Sequence, residues 1–177
     1  MIEEYKPAIF FLVKYFVLYL VLNTLYAFYI DYYAPSSDPA TIATSRQVAV
    51  LLGWLGEPVN AIVEEGSSRV LLMREGATII RVYEGCNSLN VMIVYVAFLI
   101  AFRGPLKATL AYVGIGLASI YVMNLSRVLA LYGVALHYPD KLYFFHKFFF
   151  TGVIYMVVFV LWFFWFRHVK KWRSETT

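Results

Sequence analysis

The chain has 177 residues, 62% of them hydrophobic, including 15 Tyr, 15 Phe and 4 Trp, and a net charge of +4. Soluble domains are about 45–50% apolar, so the surplus has to face lipid, which excludes an ordinary soluble fold. The basic residues flank apolar spans instead of forming an aromatic-interleaved patch, which excludes nucleic acid as a partner; one cysteine with three histidines excludes an internal disulfide and a closed structural zinc site.

The composition predicts an all-α integral membrane fold, a single membrane domain over residues 1–177. The first apolar span, Ala8 to Ile30, is interrupted by Lys14 and Asn23 and is about 23 residues long, enough to cross. It is too long for a signal-peptide core and lacks a small-x-small cleavage site, so it reads as a retained anchor. Residues 31–85 follow as a polar segment. Tyr33 to Pro39 is a turn-rich linker. From Arg46 to Val63, Val48, Leu51, Leu52, Leu55, Val59 and Ile62 recur at helical spacing, predicting an amphipathic helix on the membrane surface. Val70–Met73 and Thr78–Tyr83 flank Arg74-Glu75-Gly76-Ala77, a β-hairpin pattern. Helix and hairpin together make a small extracytoplasmic cap. It shields the helix ends, or its strand edge aligns an extended peptide.

The second span, about residues 86–102, is roughly 17 residues and ends at the charged breaker Arg103-Gly104-Pro105. The third, about 106–136, exceeds the bilayer core and must tilt or project. The fourth, 144–166, ends in Arg167, His168, Lys170, Lys171 and Arg173. That cluster, Arg103 with Lys107, and Lys6 all belong on the cytoplasmic side. Four crossings of a plasma (inner) membrane, with both termini inside, satisfy all three. Residues 31–85 then lie outside, with seven acidic and four basic residues.

This threading brings three anomalies to one depth on the outer face. Cys86 opens the second span, Arg127 lies about 20 residues past the inner start of the third, and His146 opens the fourth. Each has a plainer reading. A lone membrane cysteine is usually an inert apolar side chain, Arg127 can snorkel to the interface, and His146 can be an interfacial residue without a role. Against these readings, Gly85, Asn87 and Ser88 surround Cys86 at a helix N-terminus, where the dipole favours thiolate. Asn124 lies one turn from Arg127, and a polar pair in an apolar helix faces protein or a cavity. His137 and His168 are weaker candidates, at a loop edge and in the basic tail.

The set suits cysteine acyl transfer. A thiolate attacks a peptide carbonyl and forms a thioester that a second nucleophile resolves. Arg127 cannot be a base, but it can lower the Cys86 pKa and stabilise an oxyanion. His146 can take the thiol proton and protonate the leaving amine. Asn124 and Asn87 can orient these groups. No cofactor is needed.

Gly85-Cys86-Asn87-Ser88 opening one span, Asn124-Leu125-Ser126-Arg127 in the next and His146 opening the last resemble the exosortase/archaeosortase family of membrane cysteine transpeptidases. The chain looks most like the short bacterial F-type exosortases, over roughly residues 84–166. Many members are longer, with additional spans, and carry Cys-Ser-Gly where this chain has Cys86-Asn87-Ser88. The resemblance implies that Cys86 is the nucleophile and that Arg127 and His146 complete the catalytic set, facing the periplasm or exterior. It implies substrates that are exported proteins with a C-terminal signal: a short motif, a transmembrane helix and a basic tail. Membrane lipids are the other partners. The alternative is a non-catalytic assembly or docking subunit. A transporter component is disfavoured by four spans without inverted repeats, and a dithiol oxidoreductase by the lone cysteine.

Overall fold

A computed structural model describes residues 2–102 and 104–176, without the side chains of 2–4, 173, 175 and 176. Arg103, expected as a helix breaker and inner charge, and the Arg173 side chain, expected in the basic tail, lie outside the described residues. The chain is mostly helical. Helix α1 (Ile2–Tyr33) leads to α2 (Pro39–Trp54), then to strands β1 (Asn60–Val63), β2 (Arg69–Arg74) and β3 (Ala77–Tyr83). A 3₁₀ turn (Glu84–Cys86) precedes α3 (Leu89–Ala101), which is followed by α4 (Leu106–His137). A 3₁₀ turn (Pro139–Lys141), the short α5 (Leu142–Phe144) and a π-helical turn (Phe145–Phe149) run into α6 (Phe150–Thr176).

Among the described residues three helical stretches are long and apolar enough to cross a membrane: Tyr5–Tyr33, Leu106–His137 and Pro139–Trp172. The fourth expected span is shorter. Helix α3 has 13 residues, about 20 Å of rise against a hydrocarbon core of about 30 Å. It is nevertheless central to the packing. Phe11 of α1 meets Phe98 and Phe102 edge-on at centroid distances of 5.4 and 5.8 Å. Lys14 donates to the Ile100 carbonyl at 2.8 Å, placing a cation on the C-terminal carbonyls of α3. The opposite face of α1 is bare hydrocarbon: Leu20, Leu25 and Phe28 are all more than half exposed, at 62%, 59% and 66%. The inner core joins Tyr95 and Leu99 of α3, Ile120 of α4, and Val158, Trp165 and Val169 of α6.

The polar segment folds differently from its periodicity. Helix α2 ends at Trp54, not Val63, because Gly56 takes a left-handed φ of +86°. Gly56 N–H then bonds Gly53 O at 3.1 Å and Glu57 N–H bonds Leu52 O at 2.9 Å, a Schellman stop. Val59 and Ile62, spaced as if helical, therefore flank and enter β1. The result is a three-stranded antiparallel sheet in the order β1-β2-β3, one strand more than the predicted hairpin. Glu75 and Gly76, at φ +51° and +82°, make the tight β2–β3 turn. At the other end of α2, Asp38 caps the helix by accepting from the Ala40 and Thr41 N–H groups, with Pro39 at the first helical position. Val48 and Leu52 of α2, Leu72 and Val82 of the sheet, and Val128 and Tyr132 of α4 form one buried cluster that includes Cys86.

Two helices approach closely at Gly116, where an added Cβ would lie 2.2 Å from the Tyr95 ring. Tyr95 is fully buried and donates to the Tyr112 carbonyl at 2.8 Å, so it cannot swing away cheaply. Gly116→Ala is expected to destabilise the purified protein by about 1–3 kcal/mol, in a denaturant titration in detergent. Gly114→Ala, which meets nothing within 4 Å, is expected to be neutral or slightly stabilising. Equal effects at the two positions would contradict this packing.

Candidate active site

Two structural devices hold the cysteine. Gly85 lies against the Tyr83 ring so closely that a Cβ would approach it to 2.6 Å. Ser88 takes a left-handed φ of +65°, unusual for a non-glycine residue, and turns the chain into α3. Between them Cys86 is 4% exposed, in the 3₁₀ turn just ahead of the helix. The expected position in a first helical turn is thus displaced by one turn.

Helix α4 supplies the next two groups on one face, since residues 124 and 127 are three apart. Asn124 is fully buried and donates from Nδ2 to the Cys86 carbonyl at 2.7 Å, so it fixes the turn's backbone. Arg127, 8% exposed, brings Nη2 to 3.5 Å from His146 Nε2. The same Nε2 is 3.5 Å from Cys86 Sγ. His146 is presented by the π-helical turn, a local widening that re-aims one side chain; Thr151 Oγ1 donates to the His146 carbonyl at 3.2 Å. Cys86, Arg127 and His146 are therefore brought together around one ring nitrogen, with Asn124 behind them.

Arg has donors only, so its contact with Nε2 is a hydrogen bond when that nitrogen carries a lone pair and the ring proton is on Nδ1. The same lone pair is the one available to the thiol proton. Arg127 Nε and Asn124 Oδ1 are buried without a partner, and among the described residues no carboxylate pairs with Arg127.

Burial pushes the Cys86 thiol above its ordinary range; Arg127 and hydrogen bonds from Tyr83 pull it back only in part. The expectation that the helix dipole favours thiolate at rest is corrected: the sulfur is desolvated, and it lies ahead of the helix.

Asn87 behaves differently from expectation. Its Oδ1 caps α3 by accepting from the Leu89 N–H at 3.0 Å, while Nδ2 reaches Thr41 Oγ1 at 3.3 Å. It ties the turn to α2 and faces away from the sulfur's partners. Tyr26 donates to the Glu84 carbonyl at 3.1 Å and Tyr29 to Asp38 at 3.2 Å, extending the tie to α1. These supports, and Tyr83, whose ring is 6.1 Å from that of His146, were not singled out by sequence. The one available signal was Tyr83 beside the Gly85 that its ring requires. His168 stacks on Trp165 at 6.2 Å and His137 lies next to Tyr138 at the end of α4, so neither joins the site. Among the described residues no cluster of His, Cys, Asp and Glu could hold a metal.

A cleft of about 540 Å³ opens onto the sulfur and His146, bounded by residues 78–83 of β3 on one side and by Val128, Leu131, Leu142 and Tyr143 on the other.

Residues 7–165 match the family described as transmembrane exosortase (Exosortase_EpsH). No curated protein and no solved structure matches the chain.

Because burial raises the thiol, iodoacetamide alkylation of Cys86 is expected to climb with pH through a midpoint above that of an ordinary thiol. Arg127→Gln removes the cation that lowers it, so the midpoint moves further up and the rate at a fixed pH falls about tenfold per unit moved. The rate, followed by intact mass, should not have levelled off at neutral pH; a plateau there would contradict the electrostatics.

Proposed function

The chain belongs to the transmembrane exosortase family, and from that membership and the cluster at His146 Nε2 we propose that it is a membrane cysteine transpeptidase. Its substrates are exported proteins bearing a C-terminal sorting signal of short motif, transmembrane helix and basic tail. The observation that carries this reading is the convergence of Sγ and Nη2 on one imidazole nitrogen at 3.5 Å each.

The chemistry follows from those contacts. As the scissile carbonyl enters, His146 Nε2 takes the Cys86 proton and the sulfur bonds to the carbonyl carbon. The electron pair moves to oxygen, where the Arg127 guanidinium meets it by charge-assisted hydrogen bonding. The tetrahedral species collapses to a thioester as the C–N bond breaks, and His146 returns its proton to the leaving amine. An acceptor nucleophile then loses a proton to His146 and attacks the thioester. The C–S bond breaks and the thiol is reprotonated. Asn124 positions the cysteine through its carbonyl, and Asn87 positions the whole turn against α1 and α2.

Four crossings of the plasma membrane, with α3 as the second, put both termini in the cytoplasm and the cleft outside. Support comes from Lys6, Lys107, Lys170 and Lys171, which this threading collects on the inner side. Helix α2 and the sheet then form the outer cap over the helix ends.

Cys86→Ala is expected to cut C-terminal trimming of exported proteins by more than roughly a thousandfold, while the variant still accumulates in the membrane. Mass spectrometry of the exported proteins' C-terminal peptides reads this directly. Undiminished trimming would overturn the reading. An impermeant maleimide, given time to enter the cleft, is expected to label Cys86 in intact cells; labelling only after lysis would overturn the orientation.

A further inference from the structure

The cleft beside Cys86 runs along a strand, not across a sheet face. Residues 78 through 83 line it consecutively. Alternate side chains of a strand point to opposite faces, so a cleft over one face would touch every second residue. Lining by both parities places the cleft at the edge.

That edge is unpaired. Strand β3 is the last strand of the sheet, hydrogen-bonded to β2 alone. Its outward groups can be identified from the ladder. Glu64 N–H bonds Arg69 O at 3.0 Å, which makes 64 and 69 a hydrogen-bonded pair and turns residues 69, 71 and 73 of β2 toward β1. Residues 70 and 72 therefore bond β3, through their partners Val82 and Ile80. The N–H and C=O groups of Arg81 and Tyr83 point the other way, into the cleft. Among the described residues Arg81 makes no backbone bond outside the sheet, while the Tyr83 N–H turns onto the Cys86 sulfur. The unpaired edge thus ends on the nucleophile.

We propose that the substrate is held by strand addition: the residues N-terminal to its scissile bond pair with the free edge of β3 at Arg81, running in the same direction as β3. A row of alternating donors and acceptors is answered by a peptide backbone; Val128, Leu131 and Leu142 form an apolar wall for its side chains. The parallel direction follows because β3 runs toward Cys86 and the acyl part of the substrate stays on the N-terminal side of the new thioester. Register is read through backbone at Arg81, so the sheet sets which carbonyl reaches the sulfur. This rests on the reading of Cys86 as the nucleophile.

The test uses the purified full chain in detergent and acetyl-tetraalanyl chloromethyl ketone, with analogues N-methylated at one amide each, and follows Cys86 alkylation by intact mass. N-methylation deletes a donor and inserts a methyl into the ladder. It is expected to slow alkylation by about tenfold at alternate amides and to leave the intervening ones nearly unchanged. Arg81→Pro, a change an edge strand accommodates when its N–H faces outward, deletes the donor to a substrate carbonyl and is expected to slow alkylation by every peptide about tenfold while iodoacetamide reacts as before. Uniform slowing across the N-methylated analogues, no slowing among them, or no reaction with any peptide while iodoacetamide still reacts would overturn strand addition and leave the nucleophile standing. Peptide alkylation that is not slowed in Arg81→Pro would also overturn it. A Cys86 inert to iodoacetamide as well would remove the nucleophile, and both readings with it.

Discussion

Among the described residues no carboxylate neutralises the guanidinium of Arg127, which is buried in an apolar helix, and much of the surrounding architecture answers to that charge. Removing such an ion from water costs several kcal/mol, about 3–5 when a partner is missing. The cost is met in part by His146, whose Nε2 accepts from Nη2 at 3.5 Å. A neutral acceptor cannot discharge a cation, however. What remains is a positive potential beside a protonated, desolvated thiol. Anionic species that form there, a thiolate and then an oxyanion, are stabilised without any rearrangement of the protein. An acid at the same place would pair with the guanidinium and abolish the effect.

A charge of this kind is useful only if its neighbours are held still. Asn124 does this from α4 by gripping the Cys86 carbonyl at 2.7 Å. From the other side, Asn87 and Thr41 connect the turn to α2, and Tyr26 connects it to α1. The turn that carries the cysteine is thus tied to three helices, and the sulfur is left to interact with His146 and Tyr83. The left-handed Ser88 and the crowded Gly85 fit the same logic. Such backbone conformations persist when the surroundings over-determine them.

How much of this was visible in the sequence depended on contrast. Cys86, Arg127 and His146 stood out because each is a polar group at or inside an apolar run, and Asn124 because it shares a helix face with Arg127. Charge bias and span length alone put the first three at one depth. Asn87 was noticed for its position, yet its amide caps α3 instead of touching the site, because helix ends compete for every nearby acceptor. Tyr26 and Tyr83 were hidden among 15 tyrosines, and Asp38 resembled an ordinary turn residue. Strand β1 was lost because Val59 and Ile62 continue the helical spacing; only Gly56 and its hydrogen bonds end the helix. The edge of β3 was visible as a possibility, but its outward groups depend on a ladder register that sequence does not carry.

The central claim is that Cys86 carries the substrate as a thioester. Hydroxylamine supplied to cells during export tests it most directly, because it intercepts thioesters in place of the natural acceptor. The account predicts that the trimmed exported proteins then end in C-terminal hydroxamates, and that these are absent from Cys86→Ala cells. Trimmed C-termini that never carry a hydroxamate, with no acyl adduct on Cys86, would contradict it.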